Sequence, residues 1–495
     1  MMKKRICSIA LALATALSSA YAFAAEEEAP PQEQTGIQAD SEQSVEAVTG
    51  EYTAPENEVQ IFVSDDGNDS NPGSYQQPLK TISAGISKAV SAKDSAKGKT
   101  VSVNIKGGDY YIDDTIELNA SGTKENPFII RGVKGETVNI KMSKKLMQNM
   151  FSQATDKEAV SKLPSTAKKY VGEYNLNGIL KSADSNNYNL IVNGSEQTVA
   201  RWPDKEFDRV AKVVNTTTFT GKEAGGRVSK WAGESNAVIR GYFGVEYRFE
   251  GKTLSKINGS EVTLESKPYY GMKANDRYFI ENLLQELDSP GEYYVDVKSK
   301  KLYYYPPYNI SGSDIEFSQN TKTMLNVSKQ SYITIENLSF SGTQGTGLNF
   351  TDCDNIVIDG CEVKHIGKDG IVMQNAANSA VKNSTICFIG NRGIYLTGGD
   401  RTKLISGENS VENNHIYDFG RKDRTGGVGV SLEGIGAVIQ HNLIHNSTAG
   451  GILFSGNEFK ILYNEIYNVV NEPCDAGAIY SARNYTFRGT EVAYN

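Results

Sequence analysis

Short apolar runs recur at near-constant spacing through the C-terminal third of this chain. The segments ITIENLSF, IVIDGCEV, AVKNSTI, VENNHI, VIQHNLI, ILYNEI and VAYN each place a branched aliphatic (Ile335, Ile358, Val381, Val411, Ile439, Ile461 and Val492) three residues before an anchor position. The anchor positions Leu338, Cys361, Ser384, Asn414, Asn442, Asn464 and Asn495 are 23, 23, 30, 28, 22 and 31 residues apart. A second ladder, GLNF, GIVM, GIYL, GVSL, GILF and AIYS, begins 9, 9, 9, 15, 9 and 14 residues later, at Gly347, Gly370, Gly393, Gly429, Gly451 and Ala478. Alternation turns the first and third residues after each Gly inward and the middle one outward. Each segment is too small to bury its own apolar face, so the repeat predicts stacked coils of an all-β parallel β-helix. A βα solenoid needs Leu-rich helical stretches for which the repeat has no room. Asn414, Asn442 and Asn464 fall in register at a turn, where a stacked amide ladder satisfies turn carbonyls, and are read as structural.

The stretch IFVSDDGNDSNPGSYQQPLKTISAGISKAV predicts a strand, a turn cluster and an amphipathic helix with Ile82, Ile86 and Val90 on one face. Such a helix caps the open end of the coil stack, which otherwise exposes apolar core and strand edges. Asp65, Asp66, Asn68 and Asp69 resemble a calcium loop but lack its bidentate twelfth ligand, so they are read as turn residues. VSVNIKGGDYYI and PFIIRGVKGETVNI supply the first coils. From 143 to 318 the coil pattern lapses, and Tyr-rich alternating runs with Asn193-Gly194 and Asn258-Gly259 turns predict an inserted antiparallel β domain. The resulting order is a cap with first coils at 59–142, the insert at 143–318, and β-helix repeats at 319–495.

Charge changes the picture at the N-terminus. Residues 1–25 carry Lys3, Lys4 and Arg5, an apolar run from Ile6 to Leu17, and Ala22-Phe23-Ala24. This pattern predicts an export signal cleaved after Ala24 or Ala25, and no membrane span once it is removed. Residues 26–58 hold ten acids and no Lys or Arg, which predicts a disordered acidic linker. Of the formal net charge of -8 almost nothing remains beyond it, so the body has no basic surface for a nucleic acid. Loss of Cys7 leaves Cys353, Cys361, Cys387 and Cys474, too few for a disulfide framework and not spaced for zinc; burial as small apolar residues is expected. The expectation is a monomeric protein acting outside the cytoplasm, with no cofactor.

VSDDGNDSNPG with QPLKTI, then VNGSEQTVARWPD, NLLQELDSPGEYYVDVKSKKLYYYPP and CDAGAIYSARNYTFRGTEVAYN resemble the secreted right-handed β-helix carbohydrate-active proteins, most closely glycoside hydrolase family 141. The resemblance extends over residues 58 to 495, and its LDSPGEYYVD and DAGAIY blocks are the more specific. It implies a pectate-lyase-like solenoid and α-L-fucosidase or xylanase activity on plant cell-wall glycans. It also implies that Asp475, the acid of DAGAIY, is catalytic, with a partner acid in a later coil. The chain reaches Asn495 in mid-coil, so further coils are expected beyond it.

The residues supply chemistry of their own. The coil holding YDFGRKDRTGGV (417 to 428) and the coil holding YNVVNEPCDAG (467 to 477) are enlarged, and a third insertion, TGGDRTKLISG, follows another strand. Two enlarged loops separated by one plain coil would wall a groove suited to a chain-like ligand. No repeat-wide structural role requires an acid at Asp475, although a loop aspartate capping amides remains the alternative. Glycoside hydrolysis needs a second carboxyl, and Glu433, two coils away on the outward phase of its strand, is the candidate partner; a solvated strand charge is the competing reading. Glu472, Tyr480 and Arg483 lie near Asp475 in sequence and could orient sugar hydroxyls, Arg421 and Arg424 could face an anionic sugar, and Tyr395 could stack on a ring. For Arg421 and Arg424 surface charge is the default reading. His441 and His445 straddle a strand and its turn, and no metal site is predicted. Two other functions stay open: a polysaccharide lyase, which needs a basic proton abstractor and commonly calcium, and a non-catalytic glycan-binding β-helix.

Overall fold

A computed structural model describes residues 55–93, 95–96, 98–180, 187–234 and 236–495. The expected export signal and the acidic linker as far as residue 54 lie outside the described residues. Three parallel sheets of ten, eight and eight strands form the coil stack. In the first, Ile335, Ile358, Val381, Val411, Ile439, Ile461 and Val492 are register partners in succession. The Gly-led ladder makes the second, pairing Leu348, Ile371, Ile394, Val430, Ile452 and Ile479. The third sheet, centred on Phe340, Val363, Ile386, Ile416, Ile444 and Ile466, is hidden in the sequence pattern. It adjoins the first sheet, the two being joined through a bend containing one residue of positive φ (Asn337, Gly360, Asn383, Asn413, His441, Tyr463). Asn and Gly enter that region most readily, which is why they recur there.

The aliphatic columns fill the coil interior, and each such side chain removed from water contributes about 1.5–3 kcal/mol. Beside them runs the amide ladder. The Nδ2 groups of Asn414, Asn442 and Asn464 donate to the next Oδ1 at 3.0, 2.9 and 2.8 Å, and to the carbonyls of Val381, Val411 and Ile439 at 2.9, 2.9 and 3.0 Å. A helix, Ile82–Lys93, lies on the first strands with Ile82, Gly85, Ile86 and Ala89 buried. Asp69 fixes its entry by accepting from the Lys80 and Thr81 amides at 2.8 Å, while the Thr81 hydroxyl accepts from the Ala84 amide at 3.1 Å.

Phe128–Gly132 and Ser331–Glu336 pair directly, and between Val138–Lys141 and Leu325–Ser328, both strands of the coils, the chain leaves the stack and returns. The intervening segment builds sheets of four, five and seven strands, antiparallel except where Thr198–Val199 meets Glu292–Tyr293. Their apolar faces close over a core rich in Tyr, including Tyr278, Tyr293 and Tyr304. Cys353, Cys361 and Cys387 are buried, but Cys474 is exposed, correcting the expectation for that residue: it sits in the enlarged loop rather than in a strand.

Candidate active site

The end of the third sheet positions one side of a cleft. In successive coils, His365, Phe388, Asp418, Asn446 and Asn468 occupy one register position, four residues after Cys361, Ser384, Asn414, Asn442 and Asn464, and all adopt positive φ between 49° and 57°. This backbone region is costly for residues other than Gly and Asn, and His365, Phe388 and Asp418 occupy it here as His441 and Tyr463 do in the neighbouring bend. The same five residues line a cavity of about 630 Å³ whose opposite wall is the inserted domain, with Glu196, Arg201, Arg240 and Glu281. Gly367 and Gly390 keep the coil wall thin, since a Cβ on Gly390 would lie 2.1 Å from the Gly367 carbonyl oxygen.

Two irregular features close the cleft. The hairpin Ile191–Glu196 turns on Asn193 and Gly194, both of positive φ as a tight two-residue turn requires, and carries Glu196 to the coils. The enlarged 417–428 loop folds back, its Lys422 and Asp423 amides donating to the Gly390 carbonyl at 2.7 and 3.0 Å. There Glu196 is paired with Arg421 and accepts from or shares a proton with His365 Nδ1 at 2.9 Å. Burial opposes its charge, but Arg421 and His365 outweigh burial and hold it at about 2. Asp418 goes the other way: burial raises it, against Arg421 and His445. Lys422 is pushed down to about 8 by burial and then by Arg240, against the charges of Glu196 and Glu281; its Nζ donates to Asn187 Oδ1 and Gln344 Oε1 at 2.6 and 2.7 Å. Arg240 is balanced by Glu281 at 2.5 Å.

The predicted site residues divide among three places. Arg421 and Arg424 line the cleft, each bound to a carboxylate, Glu196 and Glu472 respectively. Glu472 is a tether: besides Arg424 it accepts from the Tyr242 hydroxyl of the insert at 3.0 Å, and its carbonyl accepts from Arg277 at 3.2 Å. Asp475, Tyr480 and Arg483 do come together on the surface, with Arg483 on both Asp475 oxygens at 2.8 and 2.7 Å and the Tyr480 hydroxyl at 3.2 Å. Among the described residues Glu433 shares no hydrogen bond or ion pair with them. It pairs in register with Ser455, two positions past Leu453, whose partner is Tyr480, whereas Asp475 precedes Tyr480 by five. Glu433 instead neighbours Arg392 and Tyr395, and Arg392 lies 3.9 Å over the Tyr395 ring.

Sequence reasoning missed Glu196, His365, Asp418 and Lys422. The coil register could have exposed His365 and Asp418 as unusual occupants of a turn column; nothing local could have brought Glu196 to them. His441 and His445 belong to separate columns, stacked on Tyr463 and Tyr467 at 5.2 and 4.7 Å. Among the described residues no cluster of three or more His, Cys, Asp or Glu suits a metal ion, and no helix is long and apolar enough to cross a membrane.

Comparison with known proteins agrees with this architecture. The family described as "Right handed beta helix region" matches residues 255–417 and 323–495. The fold is a right-handed parallel β-helix. Over 78 residues the β-helix chain is 32% identical to the pectate lyase PEL9 of Emericella nidulans, a match spanning 16% of this chain and 17% of that relative's length. A solved structure described as a glycoside hydrolase superposes with TM-score 0.68 at 13% identity, covering 88% of this chain and 96% of its own. The complex of XylC with xylose gives TM-score 0.46 at 13% identity over 83% and 62%. At such identity the structural likeness concerns the β-helix fold, and the cleft residues carry the argument about chemistry.

Proposed function

We propose that this chain is an exported glycoside hydrolase that cleaves a plant or microbial cell-wall polysaccharide in the cleft between insert and coils. The observation that carries this reading is one cleft holding two carboxyl groups driven in opposite directions, Glu196 ionised and Asp418 raised. Opposed environments are how paired carboxyls divide acid and base roles. Asp418 would protonate the glycosidic oxygen as its bond to the anomeric carbon breaks. The Glu196 carboxylate would then either attack that carbon or accept a proton from the water that does, and water ends as the new hydroxyl and the leaving group's hydrogen. The family 141 resemblance points to fucosidase-like or xylanase-like specificity; it implies a catalytic Asp475, which in this reading of the cleft binds substrate at the rim instead.

The test is product analysis on cell-wall polysaccharides with wild type, Asp418→Asn and Glu196→Gln. Each variant should lose about 10²–10⁴-fold in kcat/KM with its fold intact, and activity should fall as pH rises through the Asp418 titration, because the acid must be protonated. Full activity in both variants would sink the assignment.

A lyase is the second reading, favoured by Lys422, an amine lowered to about 8 in the cleft, bonded to the neutral side chains of Asn187 and Gln344, and so able to abstract a proton. Ultraviolet-absorbing unsaturated products abolished by Lys422→Met would establish it; saturated products alone would exclude it.

A further inference from the structure

The most exposed aromatic cluster on the inserted domain stands beside the predicted Asp475 site. Tyr247, Tyr269 and Tyr270 are 46%, 68% and 46% exposed. Tyr247 and Tyr269 pack edge-on against Tyr270, with ring centroids 5.6 and 4.9 Å away. Large aromatic rings left in water at a cost need an occupant, and a cluster of them is not the scatter expected of a soluble surface. The turns beneath are rigid: a Cβ on Gly244 would meet the Tyr270 carbonyl oxygen at 2.5 Å, the Tyr269 amide donates to Glu250 at 2.9 Å, and Gly271 closes on Pro268 at 3.0 Å. The rings are therefore held in place before anything binds.

The surroundings decide the chemistry of that occupant. Arg248 lies 4.5 Å over the Tyr269 ring, and Tyr247, packed on Tyr270, feels the charge of Asp475. The Cys474 amide donates to the Glu246 carbonyl at 3.4 Å, joining this turn to the enlarged coil loop. That loop begins at the cleft, where Asn468 and Asn471 line the wall, and ends at Asp475. A protein partner would want an apolar patch; here ring faces alternate with hydroxyl, guanidinium and carboxylate groups. A pyranose matches this pattern, since its C–H face stacks on an aromatic ring while its hydroxyls bond to charged groups at the edge.

We infer that Tyr247, Tyr269 and Tyr270, with Asp475 and Arg483 at their border, form a glycan platform that holds the polymer outside the cleft. This rests on the glycan-hydrolase reading for its ligand but not for its location. The platform acts on long chains only: a substrate short enough to lie wholly in the cleft does not reach it.

The test uses affinity electrophoresis of the full chain carrying Asp418→Asn, in gels containing arabinoxylan or homogalacturonan. At least one polymer should retard it, and adding Tyr269→Ala and Tyr270→Ala should weaken that retardation about tenfold, as expected for two lost stacking contacts. The same pair in the active chain should raise KM for the polymer while leaving kcat/KM on an aryl monoglycoside within about twofold. Unaltered retardation by the double variant, no retardation by either polymer, or a change in sedimentation in place of glycan binding would each overturn the platform. Retardation that depends on the tyrosines in a wild-type chain with no turnover would sink the hydrolase reading and leave the platform standing.

Discussion

Asn442 shows how much one polar side chain does in a stacked coil. Its amide group donates to Val411 and Asn464, and its oxygen accepts from the Asn414 amide at 3.0 Å, all in the interior. Removing it strands several buried partners at once, each worth roughly 1–3 kcal/mol. Asn442→Ala should therefore destabilise by about 3 kcal/mol in urea titration, whereas Asn349→Ala, which loses a half-exposed bond to Asn326, should cost about 0.5 kcal/mol. Equal losses would refute the distinction. Asp418 illustrates the converse, a residue kept in a left-handed conformation where Gly would sit without strain. Asp418→Gly should hold or raise the melting temperature while turnover falls as far as in Asp418→Asn, the signature of a residue retained for chemistry.

At the level of elements, the strand Glu292–Asp296 carries the clearest pH dependence. Glu292 is buried with its carboxylate accepting from the Asp288 and Ser289 amides at 3.1 and 3.0 Å. Burial nonetheless raises it from the ordinary 4.5 to about 8. Since the folded value is the higher one, the unfolded state releases this proton first, and the stability contribution, complete below pH 4.5, is lost as pH rises toward 8. Burial pushes Asp288 and Glu286 the same way. Melting temperature followed across that range should decline in wild type and decline less in Glu292→Gln; identical slopes would show that Glu292 is already ionised. The strand was legible in the sequence as an alternating Tyr-rich run, but the proton on Glu292 was not, because it depends on what covers the strand.

For the molecule as a whole, the decisive contact is the seam between the inserted domain and the coil loops. Glu472 binds Arg424 of one coil loop and Tyr242 of the insert, so one carboxylate links both enlarged loops to the cleft's far wall. Glu472→Ala should leave the β-helix core intact but speed hydrogen exchange in 467–477 and in Val238–Tyr242, and lower turnover by about tenfold through loss of positioning. Unchanged exchange in both segments would show that the seam is held without it.

What the sequence determined by itself is the β-helix: the aliphatic columns, the Gly-led ladder, the asparagine stack and the capping helix all follow from local periodicity, because each coil meets only its neighbours and repeats their pattern. The enlarged loops were legible for the same reason, as departures from that repeat. The third sheet was not, being fused to the first across one turn residue. The cleft was decided only by tertiary structure. Glu196 lies 169 residues from its His365 partner, and no repeat relates an inserted domain to the coils beneath it.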